Sequence, residues 1–183
     1  MNKIRVGIVG CGAIGKTLAK FVDKELNKKA ILVAICDLNL SNALSLKSSL
    51  KNYSPLITDL DSLIKKSDLV IECASSKVSY QIAIKTLANK KDILLMSIGG
   101  IILKYKELFA LARKNGCFIF LPSGAICGID GLKALSLVGL KKVMLITRKP
   151  PEALADAEYI IKNKIDLGTI KKEKIIFEGN ALS

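Results

Sequence analysis

Three glycines stand within six residues in Gly10-Cys11-Gly12-Ala13-Ile14-Gly15, which fits the pattern G-x-G-x-x-G. Such a cluster is common by itself, and its context makes it informative. An apolar run at residues 4–9 precedes it, and Ile14, Leu18, Phe21, Val22 and Leu26 recur after it at helical spacing. A strand, a glycine turn and a helix in that order form a cradle for a pyrophosphate. Gly10 permits the tight turn, Gly12 lets the pyrophosphate approach the backbone, and Gly15 lets the helix pack closely on the strand. The helix start, with Ala13 and Ile14, offers free N–H groups to the negative charge.

Asp37 comes 22 residues after Gly15, at the end of the next apolar run. A carboxylate there can accept hydrogen bonds from both hydroxyls of an adenosine ribose and repels a 2′-phosphate. Leu38 and Asn39 offer no cation in compensation, so NAD is expected ahead of NADP. The competing reading is a glycine turn in some other α/β protein, with Asp37 a solvated strand end.

The elements that must position these residues alternate along the chain. Apolar runs at 4–9, 30–36, 55–58, 69–73, 92–96 and 117–121 predict six strands. Helices are expected at 40–50 with Ser41 as cap, at 59–66, at 78–87 with Val78, Ile82 and Leu87 inward, and at 104–114. This rhythm predicts an α/β fold, a Rossmann doubly wound parallel sheet with strand order 3-2-1-4-5-6. Past Pro122 the rhythm changes. A helix near 130–138, strands at 142–147 and 174–177, and a Pro150-Pro151 break read as the start of an α+β substrate domain. The expected division is 1–122 for the dinucleotide-binding domain and 123–183 for a partial substrate and catalytic domain.

Composition narrows the function. The net charge of +13 comes mostly from lysines spread as pairs, Lys28-Lys29, Lys65-Lys66, Lys90-Lys91, Lys141-Lys142 and Lys171-Lys172. No aromatic residues interleave with them to stack bases, so a solvated basic surface is expected rather than a nucleic-acid partner. Five cysteines without C-x-x-C spacing and no histidine indicate neither a metal site nor a redox dithiol. The start of the chain reads as strand and loop rather than a signal peptide, and the near-apolar stretch 93–103 is too short to cross a bilayer. A soluble cytoplasmic protein is expected, with no membrane partner.

Downstream motifs carry a resemblance. Glu72-Cys73-Ala74-Ser75, Ser123-Gly124-Ala125-Ile126, Gly128-Ile129-Asp130, Thr147-Arg148-Lys149-Pro150-Pro151 and Phe177-Glu178-Gly179 occur in that order. Together they resemble the L-aspartate dehydrogenase family over nearly the whole chain. The resemblance implies NAD(P)-dependent oxidation of L-aspartate to iminoaspartate, a step toward NAD itself. It also implies that Ala74 and Ser75 line the nicotinamide side and that Ala125 contacts the cofactor. Small residues at 74, 75, 124 and 125 leave room for a flat ring.

Members of that family continue past the Phe-Glu-Gly segment into a part carrying an Asn that contacts NAD and a His proposed as acid/base. The expectation is therefore a form truncated at its C-terminus that binds NAD and whose catalytic acid/base is unknown. Arg148 and Lys149 could guide carboxylates, and Lys133 or Lys142 could act as a base only if burial lowered its pKa. A non-catalytic NAD-binding sensor or interaction module is the alternative. A homoserine-dehydrogenase-like or dihydrodipicolinate-reductase-like enzyme is a further one, disfavoured by residues 123–126 and 147–151. Apolar strand faces at 143–146 and 175–177 suggest a homodimer.

Overall fold

The computed structural model describes residues 2–123 and 129–180. Two compact units emerge from the packing, Met1–Ile129 and Asp130–Ser183.

The first unit is a six-stranded sheet made of β1 (Ile4–Val9), β2 (Ala30–Cys36), β3 (Leu56–Ile57), β4 (Leu69–Glu72), β5 (Asp92–Leu95) and β6 (Ile119–Phe120). All neighbours are parallel, in the order β3-β2-β1-β4-β5-β6. The predicted topology is thus the observed one. Register places Val9 beside Cys36 on one side and beside Glu72 on the other, so three strands end level at the switch point. The outer strands β3 and β6 are shorter than their apolar runs suggested.

Helices α1 (Ala13–Lys24), α2 (Leu40–Ser48), α3 (Leu60–Lys66), α4 (Ser76–Ala88) and α5 (Tyr105–Asn115) cover both faces. Ala19 and Val22 of α1 with Ala43 and Leu46 of α2 join Ile8, Leu32 and Ile35 on one face. On the other, Leu63, Ile64, Ala83, Leu87, Leu108 and Ala112 from α3, α4 and α5 pack against Val70, Ile93 and Leu95. Aliphatic side chains buried on both faces are what a parallel sheet requires.

Three local expectations need correction. In α1 the inward line is Gly15, Ala19 and Val22, whereas Ile14 and Phe21 are each 51% exposed. Close contact at Gly15 selects small residues for the interface and turns the larger ones outward. The cap of α2 is Asn39, whose Oδ1 accepts the Ser41 N–H at 3.0 Å, not Ser41 itself. In α4, Val78 lies toward solvent while Ile82 and Leu87 are buried. Residues 98–104, which connect β5 to α5, form a 3₁₀ segment whose Ile101 is buried.

The second unit holds α6 (Ile129–Ser136), which begins at its boundary, a 3₁₀ turn Pro151–Leu154, α7 (Glu158–Lys162) and a 3₁₀ turn Leu167–Thr169. The expected strands at 142–147 and 174–177 do not form, since none of these residues enters a ladder. The residues flanking them do pair: Arg148 Nε donates to Glu173 Oε1 at 2.7 Å, and the Phe177 ring meets that of Tyr159 in α7 edge to face with centroids 5.2 Å apart. Two strands alone make a marginal sheet in water, which is the physical reason an apolar pattern is not sufficient here.

Candidate dinucleotide site

The glycine loop leaves β1 with Gly10 at φ +94°, a left-handed conformation that favours glycine. A Cβ on Gly10 would sit 2.5 Å from the Cys73 carbonyl oxygen and 2.7 Å from the Ala74 nitrogen, so the loop also lies tight against the exit of β4. At Gly15 a Cβ would collide with the Gly10 carbonyl oxygen, which fixes the close seat of α1 on the loop. At Gly12 a Cβ would meet nothing within 4 Å. The glycine assigned to pyrophosphate approach therefore faces open space, and the two assigned to packing do not.

Helix α1 starts without a side-chain cap, because Gly12 occupies the N-cap, and its first turn holds no acidic residue. Its leading N–H groups are free for an anion. Ala13 and Ile14 are exposed there.

Asp37 lies beside the loop. Its Oδ2 accepts the Cys11 N–H at 2.6 Å and its Oδ1 accepts the Asn39 N–H at 2.7 Å. A carboxylate has about four acceptor positions, so room for two ribose hydroxyls remains. Leu38, next to it, is fully exposed and offers an apolar surface at the same rim. The residues present thus fit an adenosine ribose and a pyrophosphate.

The thiols around the loop are held neutral. Burial pushes Cys11 up to about 12, with the Asp37 carboxylate and the neighbouring Cys36 adding to it and Lys16 acting the other way. Cys73 is likewise pushed up to about 12 by burial and then by Glu72 and Cys11. Cys36 is raised by burial and by Asp37. Thiols that keep their protons add no negative charge where a pyrophosphate would lie.

Ala74 and Ser75 are exposed at the exit of β4, and Ser75 is the N-cap of α4. Gly10, Gly12, Gly15, Asp37, Ala74 and Ser75 are therefore brought to one end of the sheet. Ala125 lies outside the described residues. Of the cations, Lys133 is exposed and 3.8 Å from Asp130, Arg148 is exposed and paired with Glu173, and Lys142 and Lys149 are exposed. The burial that would fit a lysine to act as base is not found at Lys133 or Lys142.

One residue with a place in the site escaped the sequence reading of individual roles. Glu72 is fully buried, and its Oε1 accepts the Ala74 N–H at 2.8 Å while its Oε2 accepts the Ser97 N–H at 3.0 Å. The available signal was a carboxylate directly continuing the apolar run 69–71, since glutamate is seldom fully buried without partners.

Residues 10–122 match the family described as homoserine dehydrogenase, NAD binding domain, and residues 130–183 match aspartate dehydrogenase, C-terminal. The chain is 38% identical over 180 residues to the L-aspartate dehydrogenase of Methanococcoides burtonii and 41% identical over 180 residues to that of Methanocaldococcus jannaschii. Each alignment covers 97% of this chain and 66% of the relative, so the chain spans just under two thirds of their length. A homoserine dehydrogenase from Thiobacillus denitrificans has a similar fold, with TM-score 0.58 at 20% identity over 66% of this chain and 30% of that one. Matches to both domain types in one chain and relatives sharing one name agree: the chain belongs to the L-aspartate dehydrogenase family.

Proposed function

We propose that this chain serves the NAD-dependent oxidation of L-aspartate to iminoaspartate. In this reaction the Cα hydride passes to the cofactor and the amine loses a proton as the imine forms. Bound NAD supplies the hydride acceptor. The chain's own residues bind and orient it: Asp37 the ribose, Gly10, Gly12, Ala13, Ile14 and Gly15 the pyrophosphate, and Ala74 and Ser75 the nicotinamide side, with Ala125 a further contact to the cofactor. The observation that carries this reading is the open space at Gly12 beside an Asp37 carboxylate with acceptor positions to spare.

Residues 1–122 act as the cofactor domain and 123–183 as part of the substrate domain in this reading. The aspartate dehydrogenase match over 130–183 favours aspartate over homoserine. NAD is preferred to NADP because Asp37 repels a 2′-phosphate. Iminoaspartate would feed NAD synthesis in the cytoplasm. Among the described residues no helix is long and apolar enough to cross a membrane. Exposed Val143, Leu145, Ile146, Ile175 and Phe177 support a homodimer, which sedimentation velocity tests.

Following NADH absorbance with NAD and L-aspartate is the direct experiment, with alanine, glutamate and homoserine as controls. Aspartate-dependent NADH formation supports the reading. Faster turnover of homoserine refutes the substrate assignment. NAD binding without turnover of any of the four supports the sensor module in its place.

A further inference from the structure

Among the described residues two charged side chains are buried, Asp23 and Glu72. Asp23 secures a connection, accepting the N–H groups of Lys51, Asn52 and Tyr53 at 2.9 Å each. Glu72 stands elsewhere, at the carboxyl end of β4, the end of the sheet where open α/β folds bind ligands. Its side chain joins two loops. The Ala74 N–H belongs to the exit of β4, and the Ser97 N–H to the exit of β5. The Glu72 carbonyl accepts the Met96 N–H at 3.1 Å, so backbone and side chain pull the same two exits together.

The direction of a bound dinucleotide follows from residues already placed. Asp37 follows β2 and the glycine loop follows β1, with β4 and β5 next in the sheet. A ribose at Asp37 and a pyrophosphate at Gly12 carry the remaining half of the molecule toward the exits of β4 and β5. These are the exits that Glu72 joins. Both of its side-chain oxygens accept an N–H and neither donates, which is the bonding of a carboxylate. An oxidised nicotinamide ring carries a positive charge and the reduced ring carries none, so a buried anion near that half interacts unequally with the two forms.

We propose that Glu72 sets the preference of the site for oxidised over reduced cofactor, through a buried negative charge at the loops that receive the nicotinamide half. It acts as a specificity-determining residue, separate from the groups that hold ribose and pyrophosphate. The inference rests on the NAD-binding reading above. It gives the site a bias toward the form of the cofactor that an oxidation consumes.

The test measures dissociation constants of NAD and NADH for the full chain, by calorimetry and by NADH fluorescence, in the unmutated protein, Glu72→Gln and Glu72→Asp. Thermal melts accompany each. Glu72→Gln removes the charge and should weaken NAD relative to NADH by at least about fivefold. Glu72→Asp keeps the charge while shortening the reach, so both affinities should fall together and their ratio should stay within about twofold. Equal loss of both cofactors in Glu72→Gln, or no change in their ratio, overturns the proposal. Should Glu72→Gln fail to fold, the unmutated chain decides: NADH bound more tightly than NAD overturns it, and NAD bound at least as tightly supports it. An unmutated chain that binds neither cofactor overturns the NAD-binding reading as well, which separates the two failures.

Discussion

The Asp37 carboxylate accepts the backbone N–H of Cys11 at 2.6 Å, so the residue placed to receive a ribose also ties the end of β2 to the glycine loop. Removing it should therefore act twice. Hydrogen bonds to a charged group contribute about 1.5–3 kcal/mol, and Asp37→Ala should weaken NAD binding by roughly 10- to 100-fold on that basis. NADP should lose less, because a repulsion is removed at the same time. Calorimetric titration of both cofactors checks this, and an unmutated chain that prefers NADP would sink the assignment.

Gly12 and Gly15 should respond to substitution in opposite ways. Gly12→Val fills open space, so NAD binding should disappear while the melting temperature stays near that of the unmutated chain. Gly15→Ala drives a methyl into the Gly10 carbonyl oxygen and should cost about 1–3 kcal/mol of stability, the range for overpacking. Urea unfolding and NAD titration of the two variants separate these effects.

Asp23 lies at the C-terminal end of α1 and holds the 51–53 connection by three backbone N–H groups. Asp23→Ala leaves those donors without their partner and should cost about 1–3 kcal/mol. NAD affinity of the folded variant should be unchanged, since Asp23 belongs to none of the loops of the cofactor site. A variant as stable as the unmutated chain would show that water replaces the carboxylate at no loss.

The buried thiols set an alkaline limit. Cys11 and Cys73 are raised to about 12 in the folded chain, against about 8.5 for an unfolded cysteine. Below pH about 8.5 both states hold the protons and stability does not depend on these groups. Above it the unfolded chain releases protons that the folded chain keeps, so stability should fall as pH rises toward 12. Urea midpoints at a series of pH values measure the slope, and Cys11→Ala with Cys73→Ala should flatten it.

Much of the first unit was legible because its signals are local and agree with one another. A run such as 4–9 followed at once by Gly10, Gly12 and Gly15 leaves few alternatives, and alternation of strand and helix then dictates the topology. What stayed hidden depends on contacts across the fold. The inward face of α1 is decided by the approach at Gly15, which outranks the size of Ile14 and Phe21. The joining role of Glu72 arises from Ser97, 25 positions away in sequence. Residues 142–147 and 174–177 have a strand's composition, but pairing decides whether a strand exists, and composition cannot supply a partner.

Among the strands of the sheet β1 is synthesised first, and it sits in the middle of the finished sheet, between β2 and β4. Its edge toward β2 can close early. The edge toward β4 has to wait until Glu72 has left the ribosome, 63 residues after Val9. At about 5–20 residues per second that wait lasts roughly 3–13 s. During it Val6 and Ile8 have one bare edge among whatever else the cell holds at high concentration. The pace of translation between residues 37 and 72 therefore governs how much nascent chain reaches the native sheet, and slow codons there would lower the soluble yield without altering a single amino acid.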